Sequence, residues 1–205
     1  MKGLWKCVMW VAAAAMLFAC APKAVVLSPG PVPMDPRAGR MEGPAAWSLW
    51  VRDARDARPA GQAGQKVGVL YTRFEKKPQD AFLDQTPAQY VRDQLRRYLL
   101  HRGLEASSQD KARVFLDLEL KDFSLEEKPG AVWDEVTVRV AYTVIFHDAS
   151  DAELGRVRLE AQAQITSPAN TKKQVEKAFR EALADTFRAL EGSDEFARAI
   201  QRLGG

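Results

Sequence analysis

The stretch 134-DEVTVRVAYTVIFHD-148 decides the architecture. Val136, Val138, Val140, Tyr142, Val144 and Phe146 alternate with Thr137, Arg139, Ala141, Thr143 and His147. A period of two sends one set of side chains to each face of a strand. One apolar and one polar face mark an antiparallel sheet buried on one side and wet on the other. The flanking stretches repeat the pattern. In 112-ARVFLDLELKDFSL-125, Val114, Leu116, Leu118 and Leu120 alternate with Phe115, Asp117, Glu119 and Lys121. In 154-LGRVRLEAQAQIT-166, Val157, Leu159, Ala161, Ala163 and Ile165 oppose Arg156, Arg158, Glu160, Gln162 and Gln164. The segments 126–131 and 148–153 supply connections of hairpin length.

Helices bracket these three strands. In 86-TPAQYVRDQLRRYLLHRG-103, Thr86 is a natural N-cap and Pro87 suits the first helical position. Val91, Leu95, Tyr98 and Leu99 then form one apolar face, and Gly103 is a C-terminal stop. Downstream, Thr171 and Gln174 form a capping-box pattern ahead of a stripe of Val175, Phe179, Leu183, Phe187 and Leu190. Ser193 is placed to cap a short last helix carrying Phe196 and Ile200.

Upstream, 47-WSLWVRD-53 reads as a strand with Leu49 and Val51 on one face and Trp50 on the other. A second strand, 66-KVGVLYTRF-74, has Val67, Val69 and Tyr71 in phase. Between them, Pro59, Gly61 and Gly64 indicate a long hairpin loop or a longer connection. The expected order is β-β-α-β-β-β-α. The expected fold is an α+β two-layer sandwich, a mainly antiparallel sheet with two helices packed on one face, forming a single domain over 47–205. The other sheet face, with Arg139, Arg156 and Arg158 among its polar residues, is left to solvent or to a partner. Phe115 and Trp133 fall out of phase with the core or near a turn. Either suits a partner contact, since aromatics dominate hot spots, or packing beneath the N-terminal segment.

The N-terminus has a different character. Lys2 and Lys6 precede an apolar run of 13 residues, 7-CVMWVAAAAMLFA-19. That length suits a signal peptide and is short for a membrane span. Residues 21–46 hold six of the eleven prolines and three glycines. Such a composition suits an extended tether, or one in which Ala24–Leu27 docks as an edge strand. The formal charge is +3. Removing Lys2 and Lys6 with the leader brings it near +1, too weak to argue for a nucleic-acid partner.

The search for chemistry assigns no catalytic, cofactor-binding or metal-ligating residue. His101 ends a helix and His147 ends a strand beside Asp148, and neither has another histidine or cysteine at ligand spacing. The glycines of 61-GQAGQK-66 lack phosphate-loop spacing and precede a strand. The doubled Asp-Ala-Arg of 53-DARDAR-58 divides in two. Asp53 and Arg55 leave a strand and suit a structural turn better than a ligand contact. Asp56 and Arg58 are assigned to the solvated loop.

Leu17, Ala19 and Cys20 resemble the bacterial lipobox, with Phe18 bulkier than usual for its position. The resemblance implies a signal peptide over 1–19, cleavage after Ala19, and a diacylglyceryl thioether and N-acyl chain on Cys20. Several acyl chains on one residue give stable membrane anchoring. The alternative is an ordinary secreted protein with Cys20 as a thiol. The mature chain holds no second cysteine, so an internal disulfide is impossible. Alanine at 21, where aspartate commonly retains lipoproteins in the inner membrane, implies the outer membrane, facing the periplasm.

With that lipobox, the elements 49-LWVRDAR-55, 65-QKVGVLYTRF-74, 91-VRDQLRRYLLHRGLEA-106 and 112–125 resemble the YajG-type family of bacterial envelope lipoproteins. The layout is more distantly similar to auxiliary lipoproteins of ABC-type transport systems. The resemblance implies a non-enzymatic, lipid-anchored adaptor or accessory protein that works through an envelope protein partner, with no active site. The alternatives are an auxiliary subunit of a lipid or solute transporter and an envelope hydrolase.

Overall fold

A computed structural model describes residues 24–35, 39–40, 48–62, 64–71, 77–168 and 171–201. The leader, Leu17, Ala19 and Cys20 lie outside the described residues, as does Trp47.

The three alternating stretches form 15-residue strands: β5 (Val114–Lys128), β6 (Asp134–Asp148) and β7 (Glu153–Ser167). They pair antiparallel along nearly their whole lengths. Their apolar sets face one way, with Val136, Val138, Val140, Tyr142, Val144 and Phe146 fully buried. Upstream lie β1 (Val25–Leu27), β2 (Leu49–Asp56), β3 (Lys66–Tyr71) and β4 (Pro78–Leu83). All belong to one seven-stranded sheet in the order β1-β4-β3-β5-β6-β7, with β2 also paired to β5.

The helices are α1 (Pro87–His101), α2 (Lys172–Glu191) and α3 (Asp194–Gln201). Their caps follow the sequence. The Thr86 hydroxyl accepts from the Gln89 backbone N–H at 3.3 Å. Thr171 and Gln174 complete a reciprocal capping box. Ser193 Oγ accepts from the Phe196 N–H at 3.2 Å. The apolar stripes of α1 and α2 enter one core with the inner sheet face. Phe179 stacks on Phe123 and Phe187 on Tyr98, with centroids 4.6 and 4.8 Å apart. Burial drives the hydroxyl of Tyr142 up from its usual pKa, and its partner at 2.8 Å is Thr186 Oγ1. The α+β two-layer arrangement, with helices on one face, is therefore present.

Three expectations are corrected. First, β2 and β3 do not form a hairpin. Both run parallel to β5, β2 beside its first half and β3 beside its second. Arg58, just after β2, reaches into the gap between them, and the sheet mixes parallel and antiparallel pairs. Second, Val69 does not share a face with Val67. The register slips between Lys66 and Gly68, so Val67 and Leu70 are buried instead. Gly68 permits this because a Cβ there would stand 2.1 Å from the Leu125 carbonyl oxygen. Third, the tether over 20–46 is shorter than composition suggested. Val25–Leu27 pair parallel with β4 as the sheet's edge, which was the alternative reading of that segment. Residues 28–34 then cross the helices. Ser28 N–H donates to Glu176 at 2.7 Å, and Val32 N–H to Gln94 at 2.8 Å. The Tyr90 hydroxyl donates to the Gly30 carbonyl at 3.0 Å. Leu27 and Val32 are buried in the core. Polar side chains on the helices satisfy a backbone too proline-rich for regular structure, so burial needs no regular element. Strand β4 and the third helix complete an order of four strands, helix, three strands and two helices among the described residues.

Candidate functional site

No described element covers the outer face of β5, β6 and β7, and this face is the candidate site. Cross-strand register assembles it in rows. Arg55, Glu119, Thr143 and Arg158 form one row across β2, β5, β6 and β7. Asp117, Ile145 and Arg156 form the next, and Ser124, Arg139 and Gln162 another. Arg139, Arg156 and Arg158 are exposed as expected from the alternation. Arg156 pairs with Glu153 at 2.6 Å, and Arg158 lies 3.9 Å from Glu160. Among the described residues Arg139 makes no ion pair. Exposed pairs of this kind add little stability, so the arginines remain exchangeable for outside partners.

At one end of the face the charges converge. Arg52 on β2 donates from Nε and Nη2 to the two carboxylate oxygens of Asp117, at 3.1 and 2.6 Å. Its Nη1 donates to Asp151 Oδ1 at 2.7 Å. His147 places Nε2 3.3 Å from Asp117 Oδ2 and Nδ1 3.3 Å from the Asp151 carbonyl. The Arg52 guanidinium lies 5.4 Å from the centre of the Phe115 ring, so Phe115 is half-buried beneath it. The hydrogen bond from Arg52 holds the Asp151 carboxyl below its usual pKa, and the one to Asp117 raises Arg52 further. Asp151 adopts a left-handed conformation, φ 67°, which aspartate tolerates in turns. Asp148 holds that turn by accepting from the Ser150 and Ala152 N–H groups.

Both oxygens of Asp117 and both ring nitrogens of His147 face partners, so the cluster acts as a clasp. It ties β2 to β5 and to the β6–β7 turn. Beside it lies an open depression of about 520 Å³, lined by Arg52, Asp53, Arg55, Glu119 and Ile145 among others. A shallow floor of mixed charge, with Leu118 and Ile145 as its apolar residues, suits a polar protein side chain.

The structure reverses the roles within 53-DARDAR-58. Asp53 and Arg55, expected to order the turn, are exposed on β2, and their side chains make no hydrogen bond among the described residues. Asp56 and Arg58, expected in solvent, are built into the fold. The Arg58 side chain is 0% exposed and bonds both oxygens of Asp56, at 2.9 and 2.7 Å. Sequence reasoning missed this pair because loop arginines are ordinarily solvated. The signal lay in its position two residues past a strand end. Trp133 also stands away from the polar face, exposed at the tip of the β5–β6 hairpin.

No family model matches the chain, and no curated protein matches it. Among solved structures, a Xanthomonas campestris protein assigned to DUF330 shares 15% identity, covering 87% of this chain and 97% of its own, with a TM-score of 0.56. That similarity is one of fold. A minor lipoprotein of Acinetobacter baumannii aligns at 16% identity over 74% of this chain and 95% of its own, with a TM-score of 0.40. No helix among the described residues is long and apolar enough to cross a membrane.

Proposed function

We propose that this protein is a non-enzymatic lipoprotein of the bacterial outer membrane, of YajG type, anchored through Cys20, that docks an envelope protein on its open sheet face. The observation that carries the docking role is the asymmetry of the sheet. Helices cover one face, while three adjacent 15-residue strands expose the other. At roughly 3.3 Å per residue and 4.8 Å per strand, β5 to β7 with β2 or β3 present a surface on the order of 800–1,000 Å². That matches one partner's share of a standard protein interface, about 800 Å². Arginines, glutamines and the acidic Asp117, Glu119 and Glu160 spread over a flat face, with Phe115 and Ile145 near its end, suit a protein surface of mixed charge.

Two measurements test the reading. Cys20→Ser is expected to prevent lipidation and release the chain from membranes; unchanged partitioning would refute the anchor. Crosslinking in intact envelopes is expected to capture a partner that Arg139→Glu with Arg158→Glu loses. Capture insensitive to that double substitution would move docking elsewhere. A captured permease, ATPase or periplasmic transport subunit would assign the auxiliary transport role.

A further inference from the structure

We infer that the tip of the β5–β6 hairpin, with Val132 and Trp133, is a second membrane contact that sits in the bilayer interface beside the lipid anchor. The inference rests on the lipidation of Cys20 proposed above. Val132 and Trp133 are 68% and 56% exposed, the most exposed large apolar residues among those described. They are adjacent, and the turn that carries them is held in shape. Gly130 N–H donates to the buried Asp134 carboxylate at 3.0 Å, and a Cβ on Gly130 would stand 2.0 Å from the Trp133 carbonyl oxygen. The sheet thus presents an aromatic and a β-branched side chain on a rigid support, at an exposure cost that nothing in the fold recovers.

Topology says what covers them. β1 is parallel to β4, β4 antiparallel to β3, and β3 parallel to β5. Following the register, Val25 stands level with Ala81, Gly68 and Leu125. The chain preceding Val25 therefore leaves the sheet at the end where β5 turns into β6. From Leu125 to Lys128 the strand rises about 10 Å, and the turn continues beyond it. The five residues from Cys20 to Val25 reach at most about 17 Å. That reach allows a lipidated Cys20 to come level with the hairpin tip, and in the proposed arrangement the bilayer it enters meets Val132 and Trp133.

Charge at this end is mixed, with the cations outermost. Lys77, Lys128, Lys172 and Lys173 are exposed with Glu126, whereas Glu127, Asp134 and Glu176 are buried, Glu135 is half-buried, and Lys172 lies 3.6 Å from Glu176. Lysines around an indole are the arrangement that settles at the headgroup level of an anionic bilayer. The same geometry stands the long strands away from the membrane and leaves the polar face open to the periplasm.

The test uses the full-length lipidated protein in vesicles of phosphatidylethanolamine and phosphatidylglycerol. Because the mature chain has no cysteine besides Cys20, Val132→Cys and Ser150→Cys each accept one fluorescent label. Ser150 lies in the turn at the opposite end of the sheet. A lipid-attached nitroxide is expected to quench the label at 132 several-fold more than at 150, with an aqueous quencher showing the reverse. Equal quenching at the two positions overturns the proposal. A label at 132 shielded from both quenchers also overturns it, because a protein then covers the tip. Cys20→Ser partitioning reads the anchor separately. Retained attachment on lipid, with the label at 132 open to water, refutes the tip and leaves the anchor standing.

Discussion

Arg58 shows how one side chain can join two elements. Because β2 and β3 lie end to end along β5, the gap between them leaves carbonyl groups without strand partners. The guanidinium fills it, donating to the carbonyls of Gly64 at 2.7 Å, Lys66 at 3.2 Å and Phe123 at 3.3 Å. Asp56 balances the charge. Removing one member of such a buried pair costs about 3–5 kcal/mol, because the other is left uncompensated. Arg58→Ala is expected to lower the urea midpoint accordingly. Arg58→Lys should recover only part of the loss, because an ammonium cannot reproduce the planar fork. The pair also sets a pH dependence. Its hydrogen bond to Arg58 holds the Asp56 carboxyl below its ordinary pKa of 3.8. A carboxyl depressed in the folded state stabilises the fold above its unfolded pKa and ceases to do so as pH falls through the folded value. Stability of the wild type should therefore fall more steeply below about pH 4 than that of Arg58→Ala, as followed by circular dichroism. At this scale residue type misleads. Arginine in a Pro- and Gly-rich loop looks solvated, and only the meeting of β2, β3 and β5 makes it a core group.

Among the elements, the helices and long strands were legible because each depends on local chemistry. The caps at Thr86, Thr171 and Ser193 use side chains within three residues of the backbone groups they satisfy. Thr171→Ala should cost about 1 kcal/mol in a thermal or urea melt. The strands β5, β6 and β7 hold a constant period over long runs, β5 changing phase once at a bulge between Leu120 and Asp122, and those runs override their neighbours. Short β3 does not, since its phase changes at Gly68. That change answers the approach of β5, which sequence spacing does not record. Gly68→Ala drives a methyl against the Leu125 carbonyl. The expected cost is about 1–3 kcal/mol, as for other overpacked sites, with faster amide exchange along β3 as the local readout.

For the whole molecule, the outcome turns on how much of the N-terminal segment is structure. Leu27 and Val32 are buried, and each such side chain contributes roughly 1.5–3 kcal/mol. A chain beginning near Ala46 gives up both, and leaves Gln94 and Glu176 without the N–H groups they accept from. Such a chain should lose about 3–6 kcal/mol or fail to fold; an unchanged urea midpoint would show that the segment is dispensable. By contrast, Arg139→Glu with Arg158→Glu should change stability by less than about 0.5 kcal/mol per site, because both side chains lie on the uncovered face. The sequence alone determined the α+β class, the three-strand core of the sheet, the capped amphipathic helices and the exposure of the arginine face. These follow from periodicity and from hydrogen bonds that close within a turn. Only the tertiary structure decided that β2 and β3 flank β5 in parallel, that Arg58 rather than Arg55 is structural, and that residues 25–34 belong to the domain. It also decided that the hairpin tip and the chain's N-terminal exit share one end. Each of these depends on contacts between residues tens of positions apart, where one segment's partner is fixed by which surface the others leave open.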